Sequence, residues 1–179
     1  LNEGDSDCRV ELLDGLQNIL PYGATFALQT SFSSLMNAYK RNELDPETGL
    51  AIYALSATLS DRAEPSESLK ATVVWQVGLD ATGYLLCSEQ LDAYRAGHSV
   101  QPERDVRGKA GAYFVNATLE LAAGQSHHWR IVADVNHDSA ATVRLAHTLH
   151  RGAEALLKTI DDDIDQNTAS LVRYVAAAD

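Results

Sequence analysis

A run of carboxylates towards the C-terminal end of the sequence could bind calcium through its oxygen atoms. Asp161, Asp163 and Asp165 alternate as the first ligands of an EF-hand loop do. The pattern then fails, because Gln166 stands where such a loop needs glycine for its sharp turn. Val172 stands where the loop needs a bidentate glutamate. We therefore predict that these acids mark a helix–helix junction, since negative charge is favourable near the N-terminus of the following helix.

Histidine and cysteine side chains could ligate zinc. His147 and His150 are three positions apart on a predicted helix, so they share one face. A zinc site needs three or four converging ligands, and the sequence contains neither an HExxH motif nor two closely spaced cysteines. Cys8 and Cys87 are predicted to be free thiols, because a single distant pair is no disulfide framework. The sequence thus predicts no metal and no cofactor.

Carboxylates and aromatic rings are the side chains that act on sugars. Asp61, Glu64 and Glu67 cluster around a proline in a predicted loop, and a glycosidase needs two carboxylates about 5–9 Å apart. A solvated loop is the simpler explanation, and no serine elbow or cysteine–histidine pair supplies another nucleophile. We therefore assign no catalytic residue. The candidate rings for stacking on a sugar are Trp129, Tyr113 and Tyr84.

Charge and hydropathy narrow the classes of partner. Twenty-five acidic residues against 14 basic ones give a net charge of −11, which repels phosphate backbones and argues against a nucleic-acid partner. No apolar run approaches the ~20 residues that cross a bilayer, so we predict no membrane partner. No targeting signal is visible, which predicts a cytoplasmic location, and both ends look cut, as in a fragment of a longer polypeptide.

The N-terminal part of the chain is predicted to contain one helix and one turn. Apolar residues between Phe26 and Tyr39 recur at helical spacing, which predicts an amphipathic helix. Lys40–Asn42 would then be its cationic end. Asp45–Gly49 combines proline and glycine in the arrangement of a tight turn.

Strand patterns dominate the middle of the sequence. The predicted strands are Leu50–Leu59, Thr72–Leu79, Tyr84–Cys87 and Tyr113–Leu121. In the first of them, Tyr53 and Leu55 lie on the predicted core face. Ala122–Ser126 is a predicted turn, which would join the last of these strands to a returning strand, His128–Val135. We therefore predict a central hairpin with Trp129 packed in the core.

The periodicity becomes helical in the last part of the sequence. Ser139–Ile160 and Ile164–Ala178 are predicted helices, and Asp138 or Ser139 is the predicted N-cap. One early helix, then strands, then two helices is an order typical of an α+β fold with an antiparallel sheet.

Several phrases of the sequence carry a family resemblance. They are Leu13–Pro21, Asn37–Lys40, Glu43–Gly49, Asp61–Pro65, Glu67–Lys70, Gly111–Asn116 and Leu119–Gly124. Together they resemble the N-terminal region of cellobiose and chitobiose phosphorylases and the phosphorylase-like part of cyclic glucan synthases. The resemblance covers nearly the whole chain.

That resemblance implies a fold and a domain organisation. It implies a galactose-mutarotase-like β-sandwich, expected to be incomplete, which is followed by a helical linker and then by an (α/α)₆ catalytic barrel beyond the printed sequence. On this basis, residues 1–137 form the β-rich sandwich with one early helix, and residues 138–179 form the helical linker. The catalytic acid would lie in the barrel, so the resemblance places no catalytic residue in this chain.

The favoured hypothesis is the non-catalytic sandwich and linker of a large glycoside phosphorylase or hydrolase acting on glucans or disaccharides. The chain would brace the missing downstream catalytic domain and contribute to sugar binding or to a homodimer contact. One alternative is a free-standing carbohydrate-binding module with Trp129, Tyr113 and Tyr84 as an exposed platform. The other is a small hydrolase that uses Glu64 or Glu67.

The exposure of the C-terminal helix distinguishes the linker hypothesis from that of a self-contained domain. A linker is expected to leave Leu171, Val172 or Val175 exposed, because their partner surface belongs to another domain. A self-contained domain would bury all three residues within the chain.

Overall fold

The computed structural model describes residues 1–57 and 68–178, and two antiparallel β-sheets dominate it. The strands are β1 (Cys8–Ile19), β2 (Lys40–Asp45), β3 (Leu50–Leu55), β4 (Lys70–Val77), β5 (Ala81–Leu85), β6 (Asp105–Arg107), β7 (Gly111–Leu121) and β8 (Arg130–Asp138). The helices are α1 (Phe26–Ser31), α2 (Ser33–Ala38), α3 (Leu91–Arg95), α4 (Ser139–His150) and α5 (Glu154–Ala176). The fold is mixed α+β with antiparallel sheets, as the sequence predicted. No helix within the described ranges combines the length and the apolar character that a bilayer crossing requires.

The two sheets stack face to face around a shared core. One sheet has the strand order β1-β7-β5, and the other has the order β6-β2-β3-β4-β8. Tyr53 from β3 and Val74 from β4 meet Tyr113 and Val115 from β7 in one fully buried cluster. The alternation of inward and outward side chains along each strand produces this core, because successive residues point to opposite faces. The predicted core positions of Tyr53 and Leu55 are confirmed.

Two tyrosines tie the sheets to each other. The Tyr53 hydroxyl donates to the carbonyl oxygen of Ala112 at 2.6 Å, from the larger sheet to the smaller one. The Tyr113 hydroxyl donates in the opposite direction, to the carbonyl oxygen of Gly49 at 2.9 Å. Each ring therefore fills the core and also satisfies a buried polar group, which avoids the cost of leaving that group without a partner.

The predicted hairpin between β7 and β8 is wrong. β7 pairs with the 12-residue strand β1 along one edge and, from Phe114 to Ala117, with β5 on the other. β8 instead pairs with β4 in the other sheet. The predicted turn after β7 does form, and the Asn2 side-chain amide donates to the carbonyl oxygens of Leu121 and Ala122, at 3.0 Å in each case. The chain therefore crosses between the sheets after this turn.

The predicted early helix forms in two short pieces. α1 ends and α2 begins at Phe32, where the backbone leaves the helical region with φ −135° and ψ 43°. Met36 is the buried residue of the pair, and it covers Leu55 at the end of β3. Lys40–Asn42 is not a helix end, because these residues open β2 and the side chains of Lys40 and Asn42 are buried. The Asp45–Gly49 turn is confirmed, with Gly49 at φ +71°, a conformation that favours glycine.

Helices cover the outer face of each sheet. Leu91 from α3 packs on Leu85 and Phe114 of the smaller sheet. Leu149 from α4 packs on Val73 and Trp75 of the larger sheet. The outward side chains of the central strands are thereby buried as well as the inward ones, which explains their near-continuous apolar sequence.

The first C-terminal helix begins at Ser139 as predicted, but the junction between the two helices lies elsewhere. Asp138 caps α4, and its carboxylate accepts from the Ala141 N–H at 2.7 Å, as expected. The break between the helices falls at Gly152, whose φ is +118°, rather than near Ile160. The acidic run Asp161–Asp165 therefore lies inside α5 and marks no junction, which corrects the prediction. These carboxylates fit there because they are exposed.

Candidate functional site

The first two turns of α5 are anchored on the larger sheet. Leu156 packs on the cluster that also contains Leu149 and Trp75. The Arg130 guanidinium lies 3.3 Å from an Asp161 carboxylate oxygen, which joins β8 to α5 at the surface. Exposed ion pairs contribute little stability, so the apolar contact is the stronger of the two anchors.

Beyond this anchor α5 has almost no contact with the sandwich. From Asp161 to Ala176 every residue is exposed except Ser170, which is half-buried. The exposed fractions are 47% for Ile164, 63% for Leu171, 62% for Val172 and 59% for Val175. The predicted exposure of the last three residues is therefore confirmed. We call these four residues the α5 stripe.

The α5 stripe continues a line of residues that starts at the anchor. Leu157 and Ile160, both half-buried, precede Ile164 at intervals of three and four residues, which places all three on one side of the helix. Leu171 and Val175 extend the same side by further intervals of seven and four. Apolar residues at this spacing are typical of a seam between two packed helices.

Charged residues of α5 cluster around Ile164, at the start of the α5 stripe. Lys158 donates to an Asp162 carboxylate oxygen at 2.8 Å, one turn along the exposed side. Asp163 and Asp165 are exposed beside them. Beyond Asp165 the helix carries no carboxylate up to Ala176, so only the Ile164 end of the stripe is bordered by negative charge.

The proposed aromatic platform is not assembled as one exposed surface. Tyr113 is fully buried, with 0% of its surface exposed, because it belongs to the sandwich core. Its ring packs against the half-buried ring of Tyr84 at a centroid distance of 5.6 Å. Sugar contact through Tyr113 would require the sheets to separate. Tyr84 and Trp129 therefore remain as candidates from that set.

Trp129 lies immediately before β8 rather than within a hairpin strand. The indole is half-buried against the sandwich core, and its Nε1–H donates to an Asp14 carboxylate oxygen at 2.7 Å. The His127 ring stacks beside it at a centroid distance of 6.3 Å. The indole donor that a sugar would use is thus already engaged, and the residue as a whole is half-buried.

The carboxylates and metal ligands suggested by the sequence form no site in the described residues. Asp61, Glu64 and Glu67 lie outside the described residues. Within residues 1–57 and 68–178, no three His, Cys, Asp or Glu side chains converge on a point that could hold a metal ion. Both cysteines are free thiols, as predicted; both were also expected to be buried, and this holds for Cys87, whereas Cys8 is half-buried.

One carboxylate that the sequence did not single out organises the turn after β5. The Glu103 carboxylate accepts from the backbone N–H groups of Leu86 and Cys87 at 2.7 and 3.1 Å. It also accepts from the Gln90 side-chain amide at 2.9 Å. Burial raises the pKa of the neighbouring Cys87 thiol to about 11, so this thiol is protonated and a poor nucleophile at neutral pH. The cluster is structural.

A second unpredicted arrangement lies on the outer face of the larger sheet. Asp134 and His137 are three residues apart in β8, and such residues point to opposite faces of a regular strand. A bulge changes this, because Val135 and Asn136 stand together opposite the single residue Thr72 of β4. The His137 Nε2 and an Asp134 carboxylate oxygen consequently meet at 2.8 Å. No sequence signal marks this bulge beyond the asparagine, a residue that tolerates positive φ.

The features described so far are the α5 stripe, one half-buried tryptophan and one histidine–aspartate pair. The α5 stripe is unpartnered within the described residues. A second group of exposed apolar side chains lies around the break between α1 and α2, where Phe26, Phe32 and Leu35 are 79%, 56% and 48% exposed. Comparisons with protein-family models and with curated proteins found no match to this chain.

Proposed function

We propose that this chain is the non-catalytic sandwich and linker region of a large glycoside phosphorylase or hydrolase that acts on glucans or disaccharides. Its work is to brace a helical catalytic barrel, with α5 packed against that barrel. The single observation that carries the proposal is the α5 stripe, which is exposed on a helix whose first turns are anchored on the sandwich. The sandwich would be of the galactose-mutarotase type.

The order of elements supports this assignment. Two stacked antiparallel sheets precede two helices, which is the order that the resemblance to cellobiose and chitobiose phosphorylases implies. Gly15, in the first of the resembling phrases, has a structural role, since a Cβ there would lie 1.9 Å from the Tyr113 carbonyl oxygen. This part of the resemblance therefore concerns how the sandwich is built.

The spacing of the α5 stripe supports a helical partner. Intervals of three, four and seven residues match the grooves of another α-helix, which an all-helical barrel presents on its surface. The carboxylates beside Ile164 favour a barrel surface that carries Lys or Arg at that end of the contact. The same proposal includes two secondary roles. Trp129 or Tyr84 would contribute to sugar binding, and the chain would form a homodimer contact.

Hydrogen exchange tests the contact directly. The amides of Leu171–Ala176 should exchange quickly in the isolated chain, because nothing in the sandwich protects this part of α5. In the longer protein that includes the following sequence of the gene, the same amides should be strongly protected. Equal exchange in both proteins would overturn the proposal. A dimer of the isolated chain that protects them would assign the stripe to a second copy instead.

A matched pair of double variants sharpens this test. Leu171→Asp with Val175→Asp places two charges on the stripe, whereas Ala169→Asp with Ala176→Asp places the same charges on another side of α5. In the longer protein, the stripe variant should lose phosphorolysis or hydrolysis of cellobiose and should loosen the barrel contact. The control variant should keep both. Cellobiose binding to the isolated chain at millimolar affinity would favour the carbohydrate-binding module.

A further inference from the structure

The free edge of β1 differs from the other sheet edges of the described residues. β6 has only three residues, and β8 contains the bulge at Val135 and Asn136. Beside β5, the Glu103 N–H donates to the Tyr84 carbonyl oxygen at 2.8 Å and covers that edge. Short strands, bulges and covering segments are the devices that protect exposed edges. β1 is 12 residues long, and among the described residues only β7 pairs with it.

The hydrogen bonds of β7 show in which direction its backbone groups point. The Ala112 N–H donates to the Leu86 carbonyl oxygen at 3.0 Å, and the Asn116 carbonyl oxygen accepts from the Thr82 hydroxyl at 3.0 Å. Both bonds lie on the β5 side of the strand. Backbone groups of successive strand residues point to opposite sides, so the even-numbered residues of β7 face β5 and the odd-numbered residues face β1.

The register transfers this alternation to β1. Leu119 lies opposite Val10, so the N–H and C=O of Val10 point towards β7. Arg9 and Glu11, on either side of Val10, therefore turn their N–H and C=O groups to the free edge. These are the backbone groups that another strand would bind.

The usable part of this edge ends before Gly15. By the same alternation the Gly15 N–H points to the free edge, but it already donates to the Asp14 carboxylate at 2.9 Å. Trp129 Nε1–H donates to the other oxygen of the same carboxylate at 2.7 Å and holds it in place. A strand that joins this edge therefore pairs with the first half of β1.

The charges beside Val10 make this part of the strand complementary to itself. If two β1 strands pair antiparallel about a twofold axis at Val10, Arg9 of each copy lies opposite Glu11 of the other. Within its own sheet Glu11 is exposed and lies opposite the uncharged Thr118. Arg9 lies 3.8 Å from Glu120 of its own chain, so in the pair it stands between two carboxylates. Opposite charges at facing positions stabilise strand pairing.

We propose that β1 pairs with the β1 strand of a second copy, antiparallel and about a twofold axis at Val10. Each Arg9–Glu11 pair then exchanges N–H···O bonds, and the two smaller sheets form one continuous sheet with three strands from each copy. The Arg9–Glu11 pairs fix this register. The inference rests on the proposed function in that it gives its homodimer contact a surface, and it uses no residue of α5.

A disulfide trap tests the register. In a Cys8→Ser background, Val10→Cys puts a thiol on the twofold axis, in a pair whose Cα atoms lie about 4.5 Å apart, a distance that a disulfide can bridge. Under mild oxidation this variant should become a covalent dimer. Leu16→Cys in the same background is the matched control, because Leu16 lies on the same face of β1 and is 38% exposed against 39% for Val10. It should stay monomeric. Equal yields from the two variants, or no covalent dimer from Val10→Cys, would overturn the proposal.

Charge reversal tests the pairing of Arg9 with Glu11. Arg9→Glu or Glu11→Arg alone sets like charges opposite each other twice, so each should weaken the dimer at least about tenfold in sedimentation equilibrium. The double variant Arg9→Glu with Glu11→Arg exchanges the two positions and should restore the affinity. The control Asp165→Arg makes a similar charge change on α5 and should not weaken the dimer. A folded double variant that stays as weak as the single variants would overturn the proposal. If the double variant does not fold, the disulfide trap decides.

The cysteine variants in the longer protein separate this contact from the barrel contact. A covalent dimer through Val10→Cys together with fast exchange of the Leu171–Ala176 amides would keep the β1 pairing and overturn the barrel contact. Protected amides without a covalent dimer would do the reverse. Cross-linking in the isolated chain alone would show that another segment of the longer protein occupies the β1 edge, which would also overturn the pairing of two copies.

Discussion

The sandwich interior and the second half of α5 contain similar apolar side chains in opposite surroundings. Tyr53, Val74 and Tyr113 are fully buried between the sheets, and the two tyrosine hydroxyls also satisfy backbone carbonyls. Leu171 and Val175 are mostly exposed. Apolar area stabilises a fold only when it is removed from water, so the first set holds this chain together and the second set is available for association.

The largest expected effect comes from the interior. Tyr113→Ala should lower the free energy of unfolding by about 3–5 kcal/mol, because it empties a packed site and leaves the Gly49 carbonyl without its donor. Tyr113→Phe keeps the ring and should cost about 1 kcal/mol. Denaturant unfolding measures both. A cost below about 1 kcal/mol for Tyr113→Ala would show that the two sheets do not share one core.

An intermediate effect comes from alkaline pH and Cys87. The folded thiol keeps its proton up to a pKa of about 11, against an ordinary value of 9.0, because burial disfavours the thiolate. Between these values the unfolded chain binds fewer protons than the folded one, so stability falls as the pH rises. Below pH 9 the protonated thiol contributes its full stabilisation of roughly 2–3 kcal/mol. This contribution is lost as the pH rises to about 11.

Comparing the pH dependence of stability in the wild type and in Cys87→Ala isolates the contribution of this thiol. Other groups, such as Lys40, whose pKa burial lowers, titrate in the wild type and in Cys87→Ala alike. Unfolding free energies measured from pH 8 to about pH 11 should therefore fall more steeply in the wild type. Parallel curves would mean that the Cys87 thiol reaches solvent and that the turn after β5 is looser than the structure shows.

The smallest expected effect comes from α5. Leu171→Ala should change the unfolding free energy of the chain by no more than about 0.5 kcal/mol, because its side chain is mostly exposed and alanine keeps the helix. Leu149→Ala makes the same chemical change at a buried position of α4 and should cost about 2–5 kcal/mol. Similar costs for the two variants would contradict the distinction between interior and stripe.

Local patterns predicted the parts of the fold that local physics decides. The alternation around Tyr53 and Tyr113, the Asp45–Gly49 turn and the Asp138 cap each depend on a few neighbouring residues, and all are present. Strand partnership depends instead on competition between distant segments. β7 pairs with β1, and β8 pairs with β4. The sequence of the turn after β7 does not indicate this choice of partners.

Two further errors come from placing charges at helix ends. Lys40–Asn42 is predicted as a cationic helix end, whereas Lys40 opens β2 and its ammonium donates to the Gln29 side chain at 2.6 Å. The acidic run is predicted as a helix junction, whereas it lies exposed inside α5 and the chain breaks at Gly152. A charged residue is favourable near a helix end but is not confined to it, so charge alone does not locate the end.

The candidate sites differ in the same way. The linker hypothesis predicts the exposure of Leu171, Val172 or Val175, because their partner surface would belong to another domain, and all three are exposed. The Asp134–His137 pair could not be predicted, because one extra residue in β8 inverts which side chains share a face. Tyr113 was a candidate for sugar stacking on its residue type alone, and its burial removed it from any open platform.

The pairing of β1 with β7 has a consequence for biosynthesis. Asn2, which fastens the end of this pair, is separated from its partner Leu121 by 119 positions in the chain. At a synthesis rate of about 5–20 residues per second, the N-terminal strand waits roughly 6–24 seconds for its partner to be made. During that time the segment that forms β1 has no β7 to pair with, and an unpaired extended segment can associate with another nascent chain. Closure of so long a loop is also slow, so chaperone binding to β1 on the ribosome should raise the yield of folded protein.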